Sequence, residues 1–353
     1  MITTRRAAIA GGLALAACGG DGVSASQKGG SATGPSSLDP LKSRTSFPVG
    51  VAAMTGQLDD AGWSRLASTH FGRLTPEWEM KMEAFLGEGD RLDFSRADRI
   101  CAWARQQGLQ VFGHTLVWYA QGAPRFERLN GSRRGFAEAY RTYIRDICDR
   151  YRGQVTGWDV VNEPVEDDNS GDLRECIWSR NLGQTDYVRL AFEHAREADP
   201  DAELFLNDYN LETYPRKLDG FMRLAETLLE AGAPLTGLGT QTHVDCSLPD
   251  GAIQRTVDRL ASLGLKVHVS EIDVSTATGD PARQGAIFAE AAEAMRGLPQ
   301  AQQFGVTVWG VRDSDSWLRR ADWHNPPEPD NPLLFDDNGR PKASAQAFAD
   351  ALG

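Results

Sequence analysis

The sequence predicts an α/β fold of the (β/α)8 TIM barrel type. From Phe47 onward, about eight short apolar runs alternate with segments of helical period, a pattern typical of parallel strands joined by helices. No G-x-G-x-x-G fingerprint opens the first helix, which disfavours the alternative of an open, doubly wound sheet. Eight strands favour a closed barrel. The strand candidates are residues 47–53, 70–75, 109–115, 155–162, 202–207, 235–241, 266–272 and 304–309.

Two of the intervening segments show how the helices are predicted. From Phe136 to Tyr151, apolar residues recur at i, i+4, i+7 and i+8, as on a helix with one face toward the core. The other segment begins at Ser95, a candidate N-cap with Asp98 three residues later, and ends at Gly108.

The first 18 residues predict an export signal. Arg5 and Arg6 precede an apolar stretch over residues 7–17, which is too short to span a bilayer but fits a signal h-region. The arginines resemble a twin-arginine signal, and residues 15–18 resemble the lipobox of bacterial lipoproteins, which places a lipid on Cys18. The alternative is an ordinary small-residue cleavage site. We expect an exported protein, lipid-anchored in the bacterial envelope at the periplasm or cell surface, or secreted.

Residues 19–45 are rich in Gly, Ser and Pro and lack apolar periodicity. They predict a flexible linker. We expect residues 46–353 to form a single barrel domain after the signal and the linker.

Composition excludes some functions. The chain has 353 residues, 41% of them hydrophobic, and a formal net charge of −12 that is dispersed along the sequence. The first two values support a large core, and the charge argues against nucleic acid as a partner. The cysteines that follow the signal have no C-x-x-C spacing, which argues against zinc. Two of them lie on apolar helix faces, which favours buried free thiols, although a disulfide stays open. These four cysteines are Cys101, Cys148, Cys176 and Cys246.

Two of the strand-like runs carry a glutamate near their ends. Glu163 ends the run 158–163 and Glu271 lies in the run 267–273. Because the active site of a barrel is built at the carboxyl ends of its strands, both are candidates for catalysis. Glycoside hydrolysis needs one carboxylic acid and one carboxylate, and a separation of about 5–5.5 Å between them means retention of configuration. The pair therefore predicts a glycosidase.

Neighbouring residues fit the same chemistry. Asp273 is two residues beyond Glu271 and projects to the same face of an extended strand. We expect Asp273 to orient His243, which would hydrogen-bond Glu271 and hold it ionised; the alternative is that Asp273 caps the following helix. Asn162 carries an amide that can donate to a sugar hydroxyl beside the bond that breaks.

The remaining candidates follow other strands. Each alone would more often be a helix cap, a loop residue or core filling, but their shared placement at one rim favours a site. Indole rings offer flat apolar platforms for sugar faces. The polar candidates are Glu77, Lys81, His114, Asn207 and Gln241, and the aromatic ones are Trp118, Trp309 and Trp317.

With these motifs the chain resembles glycoside hydrolase family 10, the retaining endo-β-1,4-xylanases. The resemblance runs from about Phe47 to the C-terminus. The segments that carry it are residues 75–81, 113–118, 158–163, 206–210, 239–243, 270–273, 309–311 and 316–317.

The resemblance implies a role for each candidate. Glu163 would be the acid/base and Glu271 the nucleophile, with no cofactor and no metal. The substrate would be xylan or xylo-oligosaccharides, and we expect a monomer. Asn162, His114, Gln241 and His243 would surround the sugar at the cleavage point, Glu77, Lys81 and Gln121 would bind further along the non-reducing side, and Trp118, Trp309 and Trp317 would stack.

Four residues depart from the family pattern: Trp78, Met82, Tyr119 and Arg312. They alter the region where the resemblance places the non-reducing side of the substrate. Two alternatives therefore stay open. One is a retaining glycanase acting on β-glucan or mannan, and the other is a catalytically weak, oligosaccharide-binding lipoprotein of the envelope.

Overall fold

Strands and α-helices alternate along residues 37–87 and 91–353, which are the residues that this computed structural model describes. All of them fall within one unit, Thr33–Gly353. The strands are β1 Val49–Ala53, β2 Arg73–Pro76, β3 Gln110–Val111, β4 Gly113–Trp118, β5 Gly157–Asn162, β6 Glu203–Asp208, β7 Gly237–Thr240, β8 His243–Cys246, β9 Lys266–Gly279 and β10 Gln303–Val308. The helices are α1 Ala61–His70, α2 Met82–Leu86, α3 Ser95–Gln106, α4 Pro124–Arg128, α5 Arg133–Tyr151, α6 Ile177–Leu182, α7 Asp186–Ala198, α8 Pro215–Glu230, α9 Ala252–Ala261, α10 Gln284–Gly297 and α11 Ala343–Leu352.

The strands form one parallel sheet in the order β3-β2-β1-β10-β9-β7-β6-β5-β4. Only Phe112 separates β3 from β4, and its N–H donates to the Leu74 carbonyl at 2.9 Å. Since β3 pairs with β2 and β4 pairs with β5, these two short strands together occupy one position and complete the ring. The (β/α)8 barrel is confirmed, and each of the eight predicted strands is present.

One strand was not predicted. β8 pairs in parallel with β9 outside the main ring, with His243 opposite Asp273, and β9 continues to Gly279 rather than ending near residue 272. Three residues of β8 are only partly buried and Cys246 alone is buried, so hydrophobic periodicity gives no signal for this strand. The pairing brings the His243 side chain beside Asp273.

The barrel interior is filled by aromatic rings below the catalytic residues. Phe112, Phe205 and Phe304 lie with ring centroids 4.4–5.6 Å apart and surround the buried His268. Gly237 leaves the necessary space, because a Cβ atom there would lie 2.2 Å from Phe205. The barrel is therefore a packed core rather than a channel, and a substrate can reach only its ends.

The outer helices pack as their apolar faces predict. α5 buries the stripe from Phe136 to Tyr151. α3 begins at Ser95, but the Ser95 N–H donates to Asp93 Oδ1 at 2.9 Å. The N-cap is Phe94, whose side chain makes no capping bond, so Ser95 is the first helical residue rather than the predicted N-cap. Cys101, Cys148, Cys176 and Cys246 are free and buried.

The folded domain begins earlier than the predicted boundary at residue 46. Leu41 lies in a short 3-10 helix, Leu41–Ser43, and is fully buried. Lys42 Nζ donates to the Ser68 carbonyl at 2.6 Å. The last residues of the predicted linker are thus packed on the barrel. The predicted signal and Cys18 lie outside the described residues. Within the described part of the chain, no helix combines the length and hydropathy required to cross a membrane.

Replacing Leu41 by alanine tests this boundary. Because Leu41 is fully buried, we expect Leu41→Ala to lower the free energy of unfolding by about 2–5 kcal/mol. The matched control is Ser43→Ala at an exposed position of the same 3-10 helix, with an expected change of about 0.5 kcal/mol or less. Urea denaturation of the domain measures both. Equal stability of the two variants would mean that residues 41–43 belong to the linker.

Candidate active site

The two predicted catalytic glutamates lie at the carboxyl ends of the barrel strands, which we call the mouth. Glu163 follows β5 directly, Glu271 lies within β9, and both are buried. The Glu163 backbone takes a left-handed conformation, with φ of 58°. Its N–H donates to the Asn207 carbonyl at 2.8 Å, and its own carbonyl accepts from Arg174 Nε at 3.1 Å. These two bonds hold a turn that a glutamate rarely adopts.

Three donors hold the Glu163 carboxylate. Trp118 Nε1 donates to Oε2 at 2.8 Å, while Asn162 Nδ2 and Gln241 Nε2 donate to Oε1 at 3.1 and 3.0 Å. A residue that transfers a proton must be held at a defined position relative to the reacting oxygen. The three bonds provide that constraint.

Asn207 joins the two glutamates from below. Its Nδ2 donates to Glu271 Oε1 at 2.9 Å and to Asn162 Oδ1 at 3.0 Å, and its Oδ1 accepts from Ser270 Oγ at 2.8 Å. Asn207 is fully buried, and its amide positions the Glu271 carboxylate. A Cβ atom at Gly239 would lie 2.3 Å from Asn207 Oδ1, so a glycine is needed there.

His243 lies between Glu271 and Asp273. His243 Nε2 lies 3.4 Å from Glu271 Oε2, and Nδ1 lies 3.0 Å from Asp273 Oδ1. Asp273 Oδ2 accepts from Trp317 Nε1 at 2.8 Å, and Asp273 lies within β9 rather than at a helix start. Burial lowers the pKa of His243, but the carboxylates of Asp273 and Glu271 outweigh it and raise that pKa to about 10. His243 is therefore an imidazolium at neutral pH.

The surrounding cations set the charge of Glu271. Burial raises the pKa of its carboxyl, but His114, His243 and Lys81 act against this, and the net pKa is lowered from its ordinary value. Glu271 is ionised at neutral pH, as a nucleophile requires.

His114 completes the floor of the mouth. Its Nδ1 lies 2.8 Å from Asp159 Oδ2 and 4.0 Å from Glu271 Oε1. Burial raises the pKa of Asp159 to about 6 despite His114. These three side chains offer ligand atoms within 4.8 Å of one another, a spacing that could accommodate a metal ion. Trp309 packs edge-on against His114, with ring centroids 5.4 Å apart.

The residues expected further along the non-reducing side already have protein partners. Glu77 Oε1 accepts from Arg320 Nη2 at 2.6 Å, and burial raises the pKa of Glu77 against that pairing. Lys81 Nζ lies 4.7 Å above the Trp118 ring. Gln121 Oε1 accepts from the Glu83 N–H at 3.2 Å.

Two of the four departures from the family pattern have a clear structural place. Arg312 Nη1 donates to Asp60 at 2.8 Å, and its Nη2 to Asp315 at 2.9 Å. It therefore clamps the loop after β10 to the N-cap of α1 and is committed to these partners. The Tyr119 ring lies 4.1 Å below the Arg174 guanidinium, which in turn holds the Glu163 backbone. Trp78 is half-buried and Met82 is buried.

Sequence reasoning missed three residues that hold the site: Asp159, Arg174 and Arg320. Asp159 had a usable signal, because it lies four residues before Glu163 and thus faces the same side of the strand. Arg174 and Arg320 lie in a loop and a 3-10 helix after their strands. Arg174 bonds to the Glu163 carbonyl 11 residues away across an irregular loop, and Arg320 bonds to Glu77 243 residues away, so neither helical nor strand periodicity indicates them.

Two buried carboxylates at the mouth of a (β/α)8 barrel, Glu163 held by amide and indole donors and Glu271 by the Asn207 amide, define a glycoside hydrolase. The family model described as glycosyl hydrolase family 10 matches residues 37–351. The chain belongs to this family, and the predicted resemblance is confirmed.

Two characterised relatives illustrate the match. Endo-1,4-beta-xylanase A of Caldicellulosiruptor saccharolyticus is 35% identical over 323 residues, covering 84% of this chain and 90% of that protein. Endo-1,4-beta-xylanase A of Cellvibrio japonicus is 33% identical over 352 residues, covering 88% of this chain and 56% of that protein. The chain thus spans little more than half of the second relative.

Solved structures share the fold. Native xylanase 10B from Thermotoga maritima is similar with a TM-score of 0.80 and 31% identity, over 88% of this chain and 96% of that one. A mutant of xylanase A from P. fluorescens subsp. cellulosa, in complex with xylopentaose, is similar with a TM-score of 0.81 and 30% identity, over 88% and 99%.

Removing the Asn207 amide tests its control of Glu271. A hydrogen bond to an ionised group contributes about 1.5–3 kcal/mol, or one to two pKa units. Asn207→Ala removes a donor that favours the ionised form, so the pKa of Glu271 rises. We expect the acidic limb of kcat/KM to move up by about 1–2 pH units and kcat to fall roughly 10- to 100-fold. A pH–rate profile measures both.

The control is a buried asparagine whose side-chain hydrogen bonds involve neither glutamate. Asn181 Nδ2 donates to Asn130 at 2.9 Å and to the Ile177 carbonyl at 2.8 Å. Asn181→Ala should lower stability and leave the acidic limb unchanged. An unmoved limb in Asn207→Ala would show that the amide does not set the charge of Glu271.

Proposed function

We propose that this protein is an endo-1,4-β-xylanase, which hydrolyses internal β-1,4-xylosidic bonds of xylan with retention of configuration. The observation that carries the reaction is the pair of buried glutamates joined through Asn207. The names of the relatives, and the xylopentaose bound in one similar structure, support xylan or xylo-oligosaccharides as the substrate.

In the first step, Glu271 attacks the anomeric carbon while Glu163 gives its proton to the glycosidic oxygen. The C–O bond breaks, the shortened chain leaves with the proton, and the remaining sugar is bound covalently to Glu271. The imidazolium of His243, 3.4 Å from Glu271 Oε2, favours the ionised form of the nucleophile and makes it available at neutral pH.

In the second step, Glu163 acts as the base. It removes a proton from water, the water oxygen attacks the anomeric carbon, and the bond to Glu271 breaks. Two inversions at one carbon restore the original configuration. The sugar at the cleavage point is bound by His114, Gln241 and Asn162 and is flanked by Trp309 and Trp317, while Lys81, Glu77 and Gln121 bind beyond it.

Replacing the acid and replacing the nucleophile should leave different residual activities. Glu163→Ala should lower kcat/KM on xylan by about 10²-fold or more, yet spare cleavage of aryl xylosides whose leaving group needs no proton. Glu271→Ala should abolish both activities, because no covalent intermediate forms. Parallel assays on xylan and 2,4-dinitrophenyl β-xylobioside measure this. An equal loss of both activities in Glu163→Ala would contradict its assignment as the acid.

The substrate is tested by hydrolysis of xylan, β-glucan and mannan by residues 37–353. We expect preferential cleavage of unbranched xylan, with fresh products in the β configuration by NMR. Equal or greater activity on glucan or mannan would contradict the assignment of xylan as the substrate. Oligosaccharide binding without turnover would support the alternative of an envelope binder, which the intact glutamate pair disfavours.

We further propose that the protein is exported and anchored by a lipid on Cys18. The arginines, the apolar stretch and the lipobox-like residues 15–18 support this. A surface or periplasmic enzyme would meet xylan fragments outside the cytoplasm.

Lipidation is tested by expressing the full chain in a bacterium supplied with labelled palmitate. Wild type should carry the label and partition into detergent, and Cys18→Ser should lose both properties. Cys101→Ser, which changes a buried cysteine of the domain, should keep the label. An unlabelled wild type would indicate an ordinary cleavage site instead.

A further inference from the structure

Trp323 is unusual in its exposure. Among the described residues it is the large hydrophobic side chain that is exposed, with 70% of its surface accessible. Single exposed apolar side chains need no explanation by themselves. Trp323 differs because of what it touches and how its loop is held.

Its contacts lead to the catalytic centre. The Trp323 ring meets the Trp317 ring edge-on, with centroids 5.6 Å apart. Trp317 in turn lies 5.1 Å from the His243 ring and donates to Asp273. The exposed indole is thus the outer member of a row of rings that begins beside the nucleophile Glu271.

The loop that carries Trp323 is held on both sides. The buried Asp330 accepts from His324 Nε2 at 2.8 Å, from Ser275 Oγ at 2.6 Å and from the Thr276 N–H at 2.7 Å. These bonds fasten the residue after Trp323 to β9.

A second fastening lies on the other side of Trp323. Arg320 Nη2 donates to Glu77 at 2.6 Å, and its Nη1 donates to the Asp315 carbonyl at 2.7 Å. Three prolines at 326, 327 and 329 restrict the backbone that follows. The exposed ring is therefore presented on a preorganised support, which lowers the entropic cost of binding a ligand.

Polar groups follow Trp323 in the same loop. His324, Asn325 and Glu328 line an open hollow of about 340 Å³, a size in the lower range for small-molecule sites. A flat apolar face beside hydrogen-bonding groups matches one ligand chemistry, a pyranose ring with its apolar face and equatorial hydroxyls.

We propose that Trp323 is an additional sugar-binding platform, which stacks on a pyranose unit of the same β-1,4-linked chain beyond the unit held between Trp309 and Trp317. It is a specificity-determining residue that favours long chains over short ones. The inference rests on the proposed action on a β-1,4-glycan.

The test compares long and short substrates. Trp323→Ala should raise KM for xylohexaose and for polymeric xylan about 3- to 10-fold, with kcat unchanged. KM for 2,4-dinitrophenyl β-xylobioside should change less than twofold, because this short substrate ends before the platform. Trp323→Phe, which keeps an aromatic face, should restore KM on long chains to within twofold of wild type.

The neighbouring exposed Asp322 gives the matched control, and Asp322→Ala should leave every KM unchanged. Thermal unfolding at an unchanged midpoint shows that Trp323→Ala is folded. An unchanged KM for xylohexaose, or an equal rise on long and short substrates, would overturn the platform. If the wild type cleaves glucan or mannan instead of xylan, the substrate assignment is wrong. KM of the wild type and of Trp323→Ala is then compared on long and short oligosaccharides of that glycan, which tests the platform independently.

Discussion

The catalytic arrangement depends on one buried amide. Asn207 Nδ2 is shared between Glu271 and Asn162, and Asn162 in turn donates to Glu163. The acid and the nucleophile lie on strands far apart in sequence, so a rigid link beneath them is the simplest way to keep their separation constant. Because Asn207 is fully buried, leaving any of these partners without a bond would cost the desolvation of a polar group. Loss of any one of these hydrogen bonds therefore destabilises the whole network.

Charge is balanced around the same link. Glu271 and Asp273 face the imidazolium of His243 from two sides, so the mouth holds a nucleophile that stays ionised without becoming solvated. Such an environment supplies fixed dipoles and charges before the substrate arrives, and no reorganisation is needed as charge develops in the transition state. The indole N–H groups of Trp118 and Trp317 belong to the same framework, and each donates to a carboxylate.

Much of this could be predicted from the sequence, and what could not has a physical reason. The barrel and its eight strands follow from apolar runs, since core-facing strands must be hydrophobic. The sequence also predicted that His243 lies between Glu271 and Asp273, because residues two apart on a strand face the same side. The bond from Asn207 to Glu271 was not predicted, since sequence does not reveal burial depth. The ion pair of Glu77 with Arg320 joins residues 243 positions apart, and no local pattern encodes such a partner.

The packing of Leu41 decides how this enzyme can be attached to anything else. The bond from Lys42 to Ser68 lies near the end of α1, just before β2 begins, and Arg44 lies 4.0 Å from Asp350 of the last helix. Both chain ends of the barrel therefore lie on the side where the strands start, opposite the glutamates. A tether that joins the barrel at its N-terminal end is therefore attached on the side opposite the glutamates. An enzyme immobilised through that end would keep its mouth accessible to an insoluble polymer.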